Sequence, residues 1–197
     1  MSSNPVHTGI RGVHHMAFRV RDSEATRRFY EDFLGLPLAT SLEIGITKTG
    51  RRAQYLHTFY EMDNGGYLAF FEAPGMPFEF TEQSDFDLHI ALEVAEDTML
   101  AMKAKAEAEG REVRGVADHD WIHSIYFRDP SGYVVELTCK QPNHDEETDP
   151  AKNDARSILA GWTRAKRAAG YDEHAPPGAM RFDTGKPVHG TAGETLD

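Results

Sequence analysis

Two histidines and one glutamate occupy corresponding places in a sequence that repeats itself, and together they could hold a metal ion. His15 begins the stretch HMAFRV and His89 begins HIALEV, each with an alanine two positions later and a valine five positions later. Glu136 lies in the stretch VVELT of the second repeat. Strict alternation predicts strands that send both histidines to the less apolar face of a sheet, and we expect Glu136 on the same face.

Two neutral imidazoles and one carboxylate form a three-ligand set that leaves coordination positions open for substrate or oxygen. Such a set suits non-haem Fe(II), and Mn, Ni, Co or Zn could also bind it. Glu72, in the last strand of the first repeat, is a candidate fourth ligand. Ungapped alignment places Phe70 rather than Glu72 opposite Glu136, so a three-ligand and a four-ligand site both stay open.

The last two strands of each repeat flank nearly identical turns. HTFYEMDNGGY at 57–67 and HSIYFRDPSGY at 123–133 agree at five positions. Asp-Pro-Ser-Gly predicts a type I turn with glycine at positive φ, which pairs Tyr126 with Glu136. By the same rule, the first turn pairs Tyr60 with Phe70 and Thr58 with Glu72.

Each histidine-bearing strand leads into a predicted helix. Polar capping residues and closing glycines bound the stretches EATRRFYEDFL and MLAMKAKAEAE. The unit β-α-β-β-β therefore occurs twice, at about 10–75 and 86–140, within one domain over 10–140. We predict an α+β fold in which two tandem βαβββ modules form a curved mixed sheet around one metal site. The predicted capping residues are Asp22 or Ser23 with Gly35, and Asp97 or Thr98 with Gly110.

A C-terminal extension, 141–197, differs in composition from the modules. Asp149 and Pro150 predict the start of a helix over about 150–168, with an apolar stripe. Beyond it, from about residue 171 to 197, the sequence is rich in Gly, Pro, Thr and charge, and we expect it to be extended or disordered.

Bulk composition narrows the classes of function. The 197 residues carry a net charge of −11, which argues against a nucleic-acid partner. No apolar run is long enough to span a bilayer, and the N-terminus has no secretory signal. The single cysteine, Cys139, cannot form an internal disulfide. These features predict a cytoplasmic protein and suit a soluble enzyme, without indicating its substrate.

These residues resemble the vicinal oxygen chelate superfamily, which includes glyoxalase I, extradiol dioxygenases and bleomycin-resistance proteins. In that superfamily, paired βαβββ modules wrap around one metal. The resemblance implies that His15, His89 and Glu136 bind the metal, with Glu72 as the possible fourth ligand. Small paired-module members often dimerise, so the resemblance also implies a homodimer.

Within the superfamily, the segment from His119 to Glu136 is similar to the extradiol dioxygenase signature. The similarity implies that His119 and Tyr126 line the active site as catalytic residues and that Glu136 binds Fe(II). His119 lies in the stretch VADHDWIHS, where simple solvation is the other interpretation. We therefore expect an oxidoreductase that cleaves the ring of a catechol-like aromatic.

Two other functions remain open from the sequence. The order His15, Glu72, His89, Glu136 follows that of bacterial glyoxalase I and implies a lactoylglutathione lyase-like enzyme, in which Glu72 would be a ligand or a catalytic base. That chemistry moves a proton next to a carbonyl while the metal stabilises oxyanion charge. A metal-free binding protein is the least favoured class, because it has no reason to keep three potential ligands on one face.

Overall fold

The computed structural model describes residues 9–46, 49–50, 52–81 and 87–170. None of the helices in these ranges is long and apolar enough to cross a membrane. The strands are β1 (His15–Val20), β2 (Leu38–Ile46), β3 (Arg52–Glu61), β4 (Tyr67–Glu72), β5 (His89–Glu93), β6 (Arg114–Asp118), β7 (Ile122–Arg128) and β8 (Val134–Lys140). The helices are α1 (Ser23–Arg27), continued by a π-helical segment (Arg28–Phe33), α2 (Glu96–Ala108), α3 (His144–Thr148) and α4 (Ala155–Ala168).

The strands form two four-stranded sheets with the same internal order. The strand order is β1-β4-β3-β2 in the first sheet and β5-β8-β7-β6 in the second. The two sequence repeats therefore have the same strand topology. In the first sheet β1 lies parallel to β4, and the other neighbours are antiparallel. The predicted α+β fold with two tandem βαβββ modules is confirmed, and each module contributes one open, four-stranded sheet.

By internal contacts the chain divides into two compact units. The first contains residues up to Leu92 together with Ala104–Val113 and Tyr126–Glu136, and the second contains the remaining residues. All three candidate metal ligands and Tyr126 therefore belong to the first unit, whereas His119 belongs to the second.

α1 begins where the sequence predicts. Oδ1 of Asp22 accepts the backbone N–H of Ala25 at 2.6 Å, as expected of an N-cap. The π-helical segment that follows brings Tyr30 onto the first sheet, where its ring centroid lies 4.5 Å from that of Phe70. Tyr30 and Phe70 are fully buried, so this face of the sheet is the covered, apolar face.

Two later helices begin at residues other than those expected. α2 begins at Glu96, so the predicted caps Asp97 and Thr98 lie inside its first turn. α4 begins at Ala155 rather than at residue 150. Asp149 is the C-cap of the short helix α3, and a turn separates it from Asp154, the N-cap of α4. The predicted disordered tail falls on 171–197, outside the described residues.

The hairpin between β3 and β4 pairs its strands two residues away from the predicted register. Its turn closes with a hydrogen bond of 2.9 Å from the N–H of Met62 to the carbonyl of Gly66. Gly65, and not Gly66, has a positive φ, +77°. In the second hairpin the same bond joins Asp129 to Tyr133, as predicted. The prediction for the first hairpin was wrong because it assigned the positive φ to Gly66 instead of Gly65. The observed pairs are Tyr60 with Leu68, Thr58 with Phe70 and Leu56 with Glu72.

Gly132 and Gly65 occupy the same turn position but differ in their surroundings. A Cβ on Gly132 would lie 2.8 Å from Cδ1 of Phe80, whereas a Cβ on Gly65 meets nothing within 4 Å. We expect Gly65→Ala to lower the free energy of unfolding by about 1 kcal/mol through its positive φ. Gly132→Ala should cost about 2–4 kcal/mol, because overpacking adds to that strain. Urea denaturation measures both, and equal losses would contradict this packing of Phe80.

Candidate functional site

His89 and Glu136 meet at one point of the first unit. His89 begins β5, in which buried Ile90 and Leu92 alternate with exposed residues. The side chain of Glu136 in β8 is only 6% exposed, and its Oε2 lies 3.3 Å from Nε2 of His89. A nearly buried carboxylate beside an imidazole is a pair of donor groups that a proton or a divalent cation can bridge.

Tyr126 holds the second oxygen of the same carboxylate. The turn between β7 and β8 closes by the bond from Asp129 to Tyr133, which places Tyr126 opposite Glu136. The hydroxyl of Tyr126 donates to Oε1 of Glu136 at 3.3 Å. Both carboxylate oxygens are therefore engaged, and Tyr126 acts as a positioning residue for Glu136 in this geometry.

His15 does not lie beside His89 and Glu136. The described residues contain no group of three or more His, Cys, Asp or Glu side chains that could hold a metal ion. His15 is exposed, and its Nδ1 lies 2.9 Å from Nδ1 of His14. Its ring also packs edge-on against Phe59, with the centroids 5.6 Å apart.

Glu72 lies on the opposite face of the first sheet from His15. β1 and β4 pair His15 with Tyr67 and Val20 with Glu72. Directly paired residues share a face and successive residues alternate, so Glu72 points to the covered face. There its Oε2 accepts the backbone N–H of Ser23, the first residue of α1, at 2.8 Å. The carboxylate therefore stabilises the N-terminus of that helix.

The counterpart of Glu136 in the first module is Ala69. Glu136 is the third residue after Tyr133, which closes the second turn, and Ala69 is the third residue after Gly66, which closes the first. The structural repeat is thus shifted by one residue from the sequence repeat, which aligns Phe70 with Glu136. An alanine, rather than a carboxylate, occupies the equivalent position of the first module.

His119 lies in the turn between β6 and β7, in the second unit. Its side chain is exposed, and its backbone N–H donates to the carbonyl of Ile122 at 3.0 Å. This backbone bond shapes the turn and leaves the imidazole on the surface.

Asp129 has a structural role that the turn motif alone did not reveal. Its Oδ1 accepts the backbone N–H groups of Ser131, Gly132 and Tyr133 at 2.8, 2.8 and 2.9 Å. Its Oδ2 accepts the hydroxyl of buried Tyr30 at 3.1 Å, across 99 residues of sequence. Burial raises the pKa of the Asp129 carboxyl above its usual value and raises the pKa of Tyr30 well above its own.

The donor chemistry of the pair fits part of a metal site. Imidazole nitrogen and carboxylate oxygen are both ligands of Fe(II), Mn and Zn, and a hydroxyl that orients a ligating carboxylate is a usual supporting contact. A protein metal site commonly needs at least three protein ligands. His89 and Glu136 therefore supply two positions of such a site, and the described residues of one chain do not place a third beside them.

Comparisons with known proteins agree with the repeated module. The sequence profile of the "Glyoxalase/Bleomycin resistance protein/Dioxygenase superfamily" matches residues 12–137. An iron-dependent extradiol dioxygenase from Rhodococcus jostii (strain RHA1) is 28% identical over 162 residues, covering 78% of this chain and 51% of that protein. The chain thus spans about half the length of the curated relative it matches.

Two solved structures resemble the fold. A glyoxylase/bleomycin resistance protein/dioxygenase domain from Frankia sp. EAN1pec has a TM-score of 0.55 at 17% identity, over 71% of this chain and 99% of that one. The fosfomycin resistance protein FosX from Listeria monocytogenes has a TM-score of 0.53 at 19% identity, over 68% of this chain and 98% of that one. At these identities the likeness concerns the fold alone.

Proposed function

Because this chain belongs to the Glyoxalase/Bleomycin resistance protein/Dioxygenase superfamily, we propose that it is a metal-dependent enzyme of the extradiol dioxygenase type, acting on a catechol-like aromatic. The similarity to an iron-dependent extradiol dioxygenase supports this choice. In this proposal His15, His89 and Glu136 are the metal ligands, and Fe(II) is the metal.

The position of Glu72 is the observation that carries the proposal. A glyoxalase I-like site of four protein ligands needs a carboxylate from the first module beside its histidine. Here Glu72 lies on the other face of the sheet, and Ala69 occupies the place equivalent to Glu136. Two histidines and one carboxylate form the set typical of non-haem Fe(II) oxygenases, which leaves room for a bidentate catecholate and oxygen.

The chain's own residues have distinct tasks in this proposal. Bound Fe(II) would supply the redox chemistry that joins oxygen to the aromatic ring. Glu136 provides a carboxylate that is nearly buried, and Tyr126 holds its orientation through one oxygen. His89 contributes an imidazole that is partly open to solvent, so substrate can approach from that side.

The function is tested by supplying Fe(II) under anaerobic conditions and then adding catechols with oxygen. Consumption of one oxygen molecule per catechol, with a ring-cleaved product, is the expected result. A hemithioacetal of methylglyoxal and glutathione serves as the parallel substrate for the glyoxalase-like alternative. Turnover of the hemithioacetal without oxygen uptake on any catechol would replace our proposal with that alternative.

We also propose that the third ligand, His15, comes from the second copy in a homodimer. His15 and His89 occupy equivalent positions of two modules with the same strand order, so one copy's first module could pair with the other's second. This arrangement would complete a site that the described residues of one chain leave with two ligands.

Mixing two inactive variants tests the shared site. A heterodimer of His15→Ala and Glu136→Ala would contain one site with every ligand intact and one site lacking two. Co-refolding equal amounts is therefore expected to restore about one quarter of wild-type metal binding and activity, since half of the dimers are mixed. Sites built within single chains would show no restoration.

We place the proposed enzyme in the cytoplasm. Its cysteine, Cys139, is buried as a free thiol, which suits a reducing compartment. The net charge of −11 suits a small-molecule enzyme better than a nucleic-acid binder.

A further inference from the structure

A cavity of about 360 Å³ opens in the first unit, between β1 and residues 77–81. Its lining includes the rings of Phe78, Phe80 and Tyr133, the side chain of Leu88 and the guanidinium-bearing Arg19. The volume lies in the range of about 300–1,000 Å³ usual for small-ligand sites. The lining combines these apolar groups with two charged residues, Arg19 and Glu79.

Arg19 brings a positive charge to this cavity, and no carboxylate among the described residues pairs with it. Its Nη2 donates to three backbone carbonyls, those of Met76 at 2.8 Å and of Ala73 and Pro77 at 3.3 Å each. Its Nε is buried and has no hydrogen-bond acceptor within the part of the chain that the structure describes. Carbonyl oxygens hold the guanidinium of Arg19 in place but do not neutralise its positive charge. The cavity therefore favours an anionic ligand.

The aromatic wall is held rigidly beside that charge. The ring of Phe80 packs edge-on against Tyr133, with the centroids 5.0 Å apart. The hydroxyl of Tyr133 donates to the backbone carbonyl of Arg19 at 2.9 Å, which ties the wall to β1. Gly132 leaves the space that Phe80 occupies, because a Cβ there would overlap its ring. Ring-lined walls of this kind favour a flat, aromatic ligand.

We propose that this cavity is a binding site for an aromatic monocarboxylate. The carboxylate pairs with the guanidinium of Arg19, and the ring lies against Phe80 and Tyr133. Glu79 also lines the cavity, and its negative charge disfavours a ligand with a second anionic group. The site uses none of the proposed metal ligands, so it stands independently of the proposed reaction.

Calorimetric titration of the metal-free, full-length chain with benzoate tests the site, with benzyl alcohol as the neutral probe of the same size. Wild type should bind benzoate at least about tenfold more tightly than benzyl alcohol, since a charge-assisted hydrogen bond is stronger than a neutral one. Arg19→Gln should weaken benzoate binding about tenfold and leave benzyl alcohol unchanged. Glu79→Gln should strengthen benzoate binding, because it removes the repelling charge.

Two matched variants complete the test. Arg21→Gln removes an exposed cation that lies 5.6 Å from the ring of Phe78 but is not among the cavity residues, and it should leave benzoate affinity within about twofold. Glu136→Ala should bind benzoate like wild type, which separates this site from the metal site. Equal binding of both probes, unaltered benzoate affinity in Arg19→Gln, or no benzoate binding at millimolar concentration would each overturn the proposal.

Discussion

Glu136→Gln is expected to abolish tight metal binding, while Glu72→Gln leaves metal content unchanged. A carboxylate oxygen of Glu136 contacts the imidazole of His89. The carboxylate of Glu72 instead accepts a backbone N–H of α1, on the face of the first sheet opposite His15. An amide is a much weaker ligand than a carboxylate, so affinity should fall at least about 100-fold in the first variant. Elemental analysis of anaerobically prepared protein, with metal titration, measures both.

The pair of variants is matched in chemistry and differs only in position. Both substitutions preserve volume, and in Glu72→Gln the amide oxygen could still accept the bond from Ser23, so we expect at most about 1 kcal/mol of lost stability there. Circular dichroism checks that each variant is folded. Metal lost with Glu72→Gln and retained with Glu136→Gln would contradict the site and restore a role for the first module's carboxylate.

Asp129→Ala is expected to lower the free energy of unfolding by about 3–5 kcal/mol. The change leaves three backbone N–H groups of the turn and the buried hydroxyl of Tyr30 without their acceptor. Asp63, its counterpart in the sequence repeat, is exposed, and Asp63→Ala should change stability by less than about 0.5 kcal/mol. Urea denaturation compares the two, and similar losses would refute the special role of Asp129.

The carboxyl group of Asp129 should make the free energy of unfolding depend on pH. Because burial raises its pKa in the folded state above the ordinary 3.8, the folded protein binds more protons than the unfolded chain between the two values. Asp129 therefore lowers stability as pH rises through that window. Asp129→Asn retains an acceptor for the three N–H groups and cannot titrate. Its stability should lack this fall above about pH 4, as measured by thermal unfolding at several pH values.

Local chemistry explains what could be predicted from the sequence. Alternation of apolar and polar residues predicted the strands that begin at His15 and His89, and Asp22 predicted the start of α1. The turn DPSG allows one arrangement, because Pro130 presets φ and Gly132 is its sole glycine, so the pairing of Tyr126 with Glu136 was predictable. Each of these features depends on residues within a few positions of one another.

The first hairpin shows where local chemistry is insufficient. Its turn contains two adjacent glycines, Gly65 and Gly66, and either can adopt positive φ. A one-residue difference in that choice changes the β3 partner of each β4 residue by two positions and leaves Glu72 on the same face as Thr58. It also places Ala69 rather than Phe70 in the position equivalent to Glu136. The pairing of β4 with β1, and not the turn, puts Glu72 on the face opposite His15, where it contacts α1.

The sequence by itself therefore determined the repeated βαβββ topology and the pairing of Tyr126 with Glu136, because short-range patterns specify strands and an unambiguous turn. The contact of His89 with Glu136 depends instead on the pairing of β5 with β8. Only the tertiary structure decided that Glu72 accepts a hydrogen bond from the N-terminus of α1 and that Asp129 accepts one from Tyr30. It also decided that Arg19 lines a cavity with aromatic rings. Those outcomes depend on strand register and on packing between distant residues, which no local pattern encodes.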